Sequence, residues 1–278
     1  MEKIKVPKFW GIHAQPGLIF SRILGIAPIV LLVCVYLTVS HTRQKENKQD
    51  KLMPTVSQMY QEMKQISTVP DKRTDTILFW SDTKASLCRL GIGVGISAIL
   101  GYGLGIILGI FPSAKAIFVP IITVLSNINP LAVLVIVLVA LGIGEGSKIF
   151  LIVFGVGIPL VRSIQQSVEN VPKELITKVL TLGGSQFEVI TRVIAPQVLP
   201  QLIELVRVSL GQVWIFVIAA EAVASTEGLG YRIYLQQRYM NMALIIPYVL
   251  YISLLAYVMD AGLLLLQKKC FPWYKTDK

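Results

Sequence analysis

Long apolar runs, separated by short polar breaks, dominate this chain. Residues 23–40 are eighteen residues without a charge, about 27 Å as a helix and enough to cross a hydrocarbon core. Residues 90–111 form a second run, with glycine at 91, 93, 95, 101, 103, 105 and 109. That much glycine weakens a helix in water; in a membrane it lets helix backbones approach closely. Residues 116–144 form a third run, broken by Ser126-Asn127-Ile128-Asn129-Pro130. Two short runs follow, 149–161 and 208–220, each about 20 Å long. They read as central helices whose ends project beyond the bilayer. Residues 242–266 are the last run. The pattern predicts an all-α integral membrane protein of six transmembrane helices: a tail over 1–22, a membrane domain over 23–266 and a tail over 267–278. No small-x-small cleavage site follows the first run, so it reads as an uncleaved span. Residues 41–85 are polar, with alternating charge, and read as an extramembrane connection.

Between the fourth and fifth runs lies a polar, amphipathic insert. Pro172 suits a helix start. Leu175, Ile176, Val179, Leu180 and Leu182 form one apolar face, opposite Lys173, Thr177, Lys178 and Thr181. Gly183-Gly184 can end that helix in the left-handed conformation. Ser185 and Glu188 spell a capping box that opens a second helix. Phe187, Ile190, Val193 and Ile194 share its apolar side, and Pro196 and Pro200 are expected to limit its length.

This insert resembles the cytoplasmic coupling loop, or EAA loop, of bacterial ABC-importer membrane subunits. That motif runs Glu-Ala-Ala, three residues, Gly, nine residues, an aliphatic residue, then Pro three further on. Gly183, Val193 and Pro196 match it; Thr177-Lys178-Val179 stands where Glu-Ala-Ala is expected, and Glu174 is the nearest upstream acid. Trp214, Ala220-Glu221, Gly228-Leu229-Gly230-Tyr231, Asp260 and Pro272-Trp273 resemble permeases of the nitrate/sulfonate/taurine/bicarbonate group. So do Pro130-Leu131-Ala132 and residues 142–148. The resemblance covers 86–273. It implies a type I ABC-importer permease fold with a two-helix coupling loop over 163–204, in which Glu174, Thr177, Lys178, Gly183, Gly184, Ser185, Glu188 and Pro196 meet the ATPase. It also implies two ATPase subunits that hold ATP and Mg, a periplasmic or lipid-anchored substrate-binding protein, a second copy of this chain, and a bacterial inner membrane location with both termini cytoplasmic.

Composition agrees with a membrane protein: 54% of residues are hydrophobic and only 15% charged, where soluble domains carry nearer a quarter. The formal charge of +10 fits basic ends at an anionic membrane surface. The Lys and Arg are dispersed rather than striped, which argues against nucleic acid. No nucleophile elbow, P-loop or metal-ligand spacing occurs. The sequence therefore predicts a transport subunit without catalysis or a cofactor of its own. His13 and His41 read as solvated. Cys34, Cys88 and Cys270 read as buried small hydrophobes.

The remaining candidates are polar groups within apolar runs. Ser126, Asn127, Asn129 and Pro130 read equally as a hydrogen-bonded kink or as pathway lining. Gln212, Trp214 and Glu221 are the corresponding candidates on the fifth run, with a gating or structural role favoured for Glu221. Asp260 reads as a helix-packing residue. No buried Arg or Lys stands out as an anion clamp. The alternative to an importer permease is a carrier or channel working without an ATPase.

Overall fold

The computed structural model describes residues 17–46, 51–71 and 75–274, and all regular structure among them is helical. Helix α1 (Leu18–Glu46) leads to a short helix α2 (Val56–Thr68) and then to the long α3 (Leu78–Ile110). The pair α4 (Pro112–Ser126) and α5 (Pro130–Leu141) follows, and then α6 (Glu145–Ile152), a π-helical turn (Val153–Gly157) and α7 (Ile158–Glu169). Next come α8 (Lys173–Thr181), a single turn α9 (Gln186–Glu188), a second π-helical stretch (Val189–Ile194) and α10 (Ala195–Ala224). The chain closes with α11 (Leu229–Arg238) and α12 (Met242–Cys270).

Among the described residues, five helical runs are long and apolar enough to cross a membrane: Ile23–Lys45, Leu78–Ile110, Glu145–Glu169, Gln186–Ala224 and Met242–Cys270. The pair α4–α5, bent by 97° at its break, makes a sixth if counted as one span. The second span begins twelve residues before the uncharged run, because Asp82 and Arg89 are buried with partners inside the protein rather than excluded from it. The 41–85 connection contains α2, whose Thr55–Gln58 capping box is complete.

Pro196 and Pro200 do not end the second helix of the insert. The helical run continues from Gln186 to Ala224. A proline lacks its N–H, and its ring collides with the carbonyl four residues back. A π-helical turn immediately before Pro196 widens the helix there, and another precedes Pro159. The wider turn relieves that collision, so the helix continues rather than breaks.

The spans pack along one seam. On α3, Gly93, Ser97, Gly101, Gly105 and Gly109 recur every fourth residue, and so lie on one face. A Cβ added at Gly93, Gly101, Gly105 or Gly109 would come within 2.6–2.8 Å of Ile152, Leu160, Ile164 or Val168. The offset is constant at 59 residues (93 to 152, 101 to 160, 105 to 164, 109 to 168). The two helices therefore run parallel, in contact over their whole shared length. Ile152, Leu160 and Ile164 are at most 2% exposed. One apolar core, containing Leu90, Leu151, Val213, Trp214 and Tyr248, lies towards the start of α3. A second, containing Ile106, Ile164, Val189 and Val198, lies towards its end. Cys34, Cys88 and Cys270 face outwards instead of lying buried, which suits a weakly polar thiol against lipid. His41 is exposed, and His13 lies outside the described residues.

The seam makes a direct prediction. Gly105→Val places a branched side chain against Ile164 and the Val161 carbonyl, and should cost about 1–3 kcal/mol, as overpacking does. Gly103→Val, where an added Cβ meets nothing within 4 Å, should leave stability nearly unchanged. Melting temperatures of the two detergent-purified variants compare them; equal melting would remove the seam from the argument.

Candidate functional site

Residues 173–194 project from one end of the span bundle. Helix α8 ends with Gly184 N–H donating to the Val179 carbonyl (2.9 Å) and Gly183 N–H donating to the Leu180 carbonyl (3.1 Å). Gly183 has φ +84°, in the left-handed region. At Gly184 a Cβ would lie 2.6 Å from Val179. One glycine supplies the dihedral and the other the space. The capping box is reciprocal: Glu188 N–H donates to Ser185 Oγ (3.2 Å), and Ser185 N–H donates to the Glu188 carboxylate (3.0 Å).

Ile176, Val179 and Ile190 pack against the second core, with Val189 and Ile194 buried in it. Leu182 and Phe187, expected on the packed faces, instead stand 86% and 72% exposed beside the glycine turn. Glu174, Thr177 and Lys178 are exposed along α8. The tip is thus an apolar pair on a rigid hairpin with polar flanks. Behind it lies a cavity of about 710 Å³ lined by Gly109, Phe111, Lys115, Ile176 and Leu180, among others. Lys115 and Glu169 form an ion pair there at 2.6 Å. Pro196 lies in the first turn of α10.

The α4–α5 break resolves locally. Asn127 Nδ2 and Ser126 Oγ donate to the Thr123 carbonyl (both 2.9 Å), and the Asn129 side chain caps α5 by accepting from Leu131 N–H (3.0 Å). Pro130 takes the first turn of α5. The hydrogen bonds stay within the break rather than crossing between helices, and Asn127 and Asn129 remain exposed. Gln212 is exposed too, while Trp214 is 4% exposed in the first core. Two positions apart on a helix, they face opposite ways.

Glu221 is fully buried and belongs to a network the sequence reading missed. Asp82, Ser86 and Arg89 share one face of α3 and hold residues 221–232. Arg89 Nη1 donates to Glu221 (2.7 Å) and to the Glu227 carbonyl (3.0 Å). Its Nε and Nη2 hold Glu145 in a bidentate pair (2.6 and 2.9 Å). Ser86 Oγ lies 2.8 Å from Glu221 and accepts from Leu229 N–H. Gly230 N–H also donates to Glu221 (2.9 Å). Asp82 accepts from Gly228 N–H and from Arg232 Nε, both at 2.8 Å. Burial works against the Arg232 guanidinium, but the Asp82 hydrogen bond and charge outweigh it and hold its pKa above the ordinary arginine value. Lys148 joins through Glu145 (2.7 Å) and Ser225 (3.1 Å). At Gly228, with φ +123°, a Cβ would lie 2.5 Å from the Glu221 carboxyl. Arg89, Lys148 and Arg232 are thus buried cations, but they serve carboxylates of this chain. Asp260 pairs with Arg207 (2.9 and 3.1 Å), joining α12 to α10 as its helix-packing reading expects.

Residues 101–271 match the family model of the binding-protein-dependent transport system inner membrane component. The chain is 31% identical over 195 residues to the taurine transport system permease protein TauC of Escherichia coli, covering 70% of this chain and 71% of that one. It is 34% identical over 203 residues to the bicarbonate transport system permease protein CmpB of Synechocystis sp., covering 71% of each. Among solved structures, the inward-facing MetNI methionine ABC transporter shares the fold, with a TM-score of 0.60 and 18% identity over 72% of this chain and 99% of that one.

The network predicts an asymmetry. Arg89→Ala strands a buried carboxylate and should cost about 3–5 kcal/mol. Arg207→Ala breaks a pair whose Asp260 is 40% exposed and should cost about 1 kcal/mol or less. The double change Arg89→Met with Glu221→Leu should recover part of the first loss. Thermal unfolding of the purified variants measures all three.

Proposed function

Because the chain belongs to the family of binding-protein-dependent transport system inner membrane components, we propose that residues 173–194 are the segment through which a separate ATPase drives it. The chain itself is the permease of an ATP-driven importer, and the ATPase is a different subunit. That excludes the carrier acting alone.

The observation that carries the coupling reading is the exposed apolar tip. Leu182 and Phe187 are 86% and 72% exposed on a hairpin fixed by two glycines and a capping box. An apolar pair at the centre of a rigid polar surface has the anatomy of an interface anchor. Glu174, Thr177, Lys178, Ser185 and Glu188 form its polar rim, and Pro196 marks where force enters α10. ATP and Mg belong to the partner. The tip must face ATP, so its end of the bundle is cytoplasmic. Helix α12 returns Lys268 and Lys269 to that end, and α1 starts there, which supports a cytoplasmic location for both termini. The chain offers one coupling segment and an importer engages two ATP sites, so two copies assemble with two ATPases. The copies meet around Asn127, Asn129 and Gln212. Glu221 holds the outer end shut to water rather than meeting solute, because Arg89, Ser86 and Gly230 consume its acceptors.

Relatives named for taurine and bicarbonate point to a small oxyanion-bearing solute; nitrate, other sulfonates and small nitrogen compounds share that size range. Arg89 and Lys148 are committed to Glu221 and Glu145, which leaves selection to the binding protein.

Leu182→Asp and Gly183→Asp should leave membrane insertion intact and lower solute-stimulated ATP hydrolysis and uptake together, about tenfold or more for loss of an anchor. Normal coupled uptake by Leu182→Asp in a complex reconstituted from purified parts would defeat the assignment. In a background lacking Cys34, Cys88 and Cys270, cysteine at 129 or 212 should react with a membrane-impermeant thiol reagent in at least one nucleotide state. Cysteine at 214 should stay protected. Reaction at 214 with protection at 129 and 212 would reverse the pathway reading.

A further inference from the structure

At the end of the bundle opposite the coupling tip, α2 and the α11–α12 turn enclose a polar cleft of about 670 Å³. It lies beyond the start of α12 and near the end of α1, outside the apolar spans. Five of its lining residues carry primary carboxamides: Gln58, Gln61, Gln65, Gln236 and Asn241. Lys51 and Glu62 line it too and balance in charge. Carboxamides offer donors and acceptors together, the complement of a peptide backbone rather than of an ion.

The cleft is rigidly built. Tyr36 Oη donates to the Pro54 carbonyl (2.8 Å), and Ser40 Oγ donates to the same carbonyl (3.2 Å). Gln44 Nε2 and Thr55 N–H both donate to Gln58 Oε1 at 2.9 Å. Met63 and Ile66 of α2 pack against the first core. Gln61 and Gln65 make no side-chain hydrogen bond among the described residues, so their amides are available. Around the cleft Tyr60, Tyr239 and Met240 are 63–68% exposed, the residue types enriched in protein interfaces. Met240 also holds φ +52°, a costly conformation for a non-glycine residue. The family match covers residues 101–271, so α1, α2 and their connection lie outside the matched segment.

We infer that this cleft receives a surface loop of the soluble substrate-binding protein and selects the cognate one. The inference rests on the importer reading above, which requires a polypeptide donor at this face. The test uses the whole reconstituted permease–ATPase complex and its purified binding protein. Benzoylphenylalanine at position 61 should cross-link to the binding protein. The double change Gln61→Arg with Gln65→Arg should raise about tenfold the binding-protein concentration that half-maximally stimulates ATP hydrolysis. Lys64→Glu, on α2 but outside the cleft, should not shift it. An unshifted concentration in the double variant, or cross-links only to lipid or to a second copy of this chain, overturns the inference. If the unaltered complex is not stimulated at all, the importer reading fails first, and the inference with it.

Discussion

The fold depends on how closely two parallel helices approach. Lipid tails are as apolar as leucine, so burial alone gives helices in a membrane little reason to associate. Packing must supply it. The five small residues spaced four apart on α3 remove the side chains that would hold the α6–α7 run away, and Ile152, Leu160, Ile164 and Val168 fill the space. Because the offset stays at 59 residues, the two helices behave as one bar. The chain must return between them, since parallel neighbours cannot be joined by a short turn. The bent α4–α5 pair makes that return, and its break is where polar backbone groups come free.

That bar ends in two different chemistries. At its first end α3 presents Asp82, Ser86 and Arg89 to the Glu221–Arg232 region, and the contacts are ionic and buried. At its other end Gly109 meets Val168 closely, beside the cavity behind α8 that the Lys115–Glu169 ion pair also lines. An ionic cluster in a dry interior has few alternative arrangements, because each broken pair leaves an unpaired charge. A cavity leaves its lining with fewer packed neighbours and can change shape at smaller cost. The fold thus places its buried ionic cluster far from the exposed hairpin and a cavity directly behind it.

Periodicity and punctuation made much of this legible. The apolar runs located the spans, and Gly183-Gly184, Ser185 and Glu188 located the hairpin turn, because both signals act within a few residues. Burial at the hairpin tip was not legible. Leu182 and Phe187 continue the apolar periodicity of their helices, yet the glycine turn swings them past the supporting core. Nor was the Arg89 network, whose members lie up to 150 residues apart. Arg89 lies immediately before the uncharged run 90–111; Glu221, set beside an apolar run and in need of a countercharge, was the available clue. The continuity of α10 through Pro196 depended on a π-helical stretch that no residue type announces.

The distribution of charge bears on what such a conduit can do. Arg89, Lys148 and Arg232 are mostly buried, and each is bound to a carboxylate of this chain. The polar side chains exposed at the α4–α5 break and in the middle of α10 are neutral: Asn127, Asn129 and Gln212. Neutral amides bind an oxyanion through one or two hydrogen bonds, each worth about 1 kcal/mol net, where a buried guanidinium would hold it far more strongly. A site on a translocation route must release its cargo as readily as it admits it. Weak amide contacts meet that requirement for anionic, zwitterionic or neutral solutes alike. On the proposed reading, the same permease scaffold then suits relatives named for solutes as different as taurine and bicarbonate, because the strong electrostatics are spent holding the scaffold together.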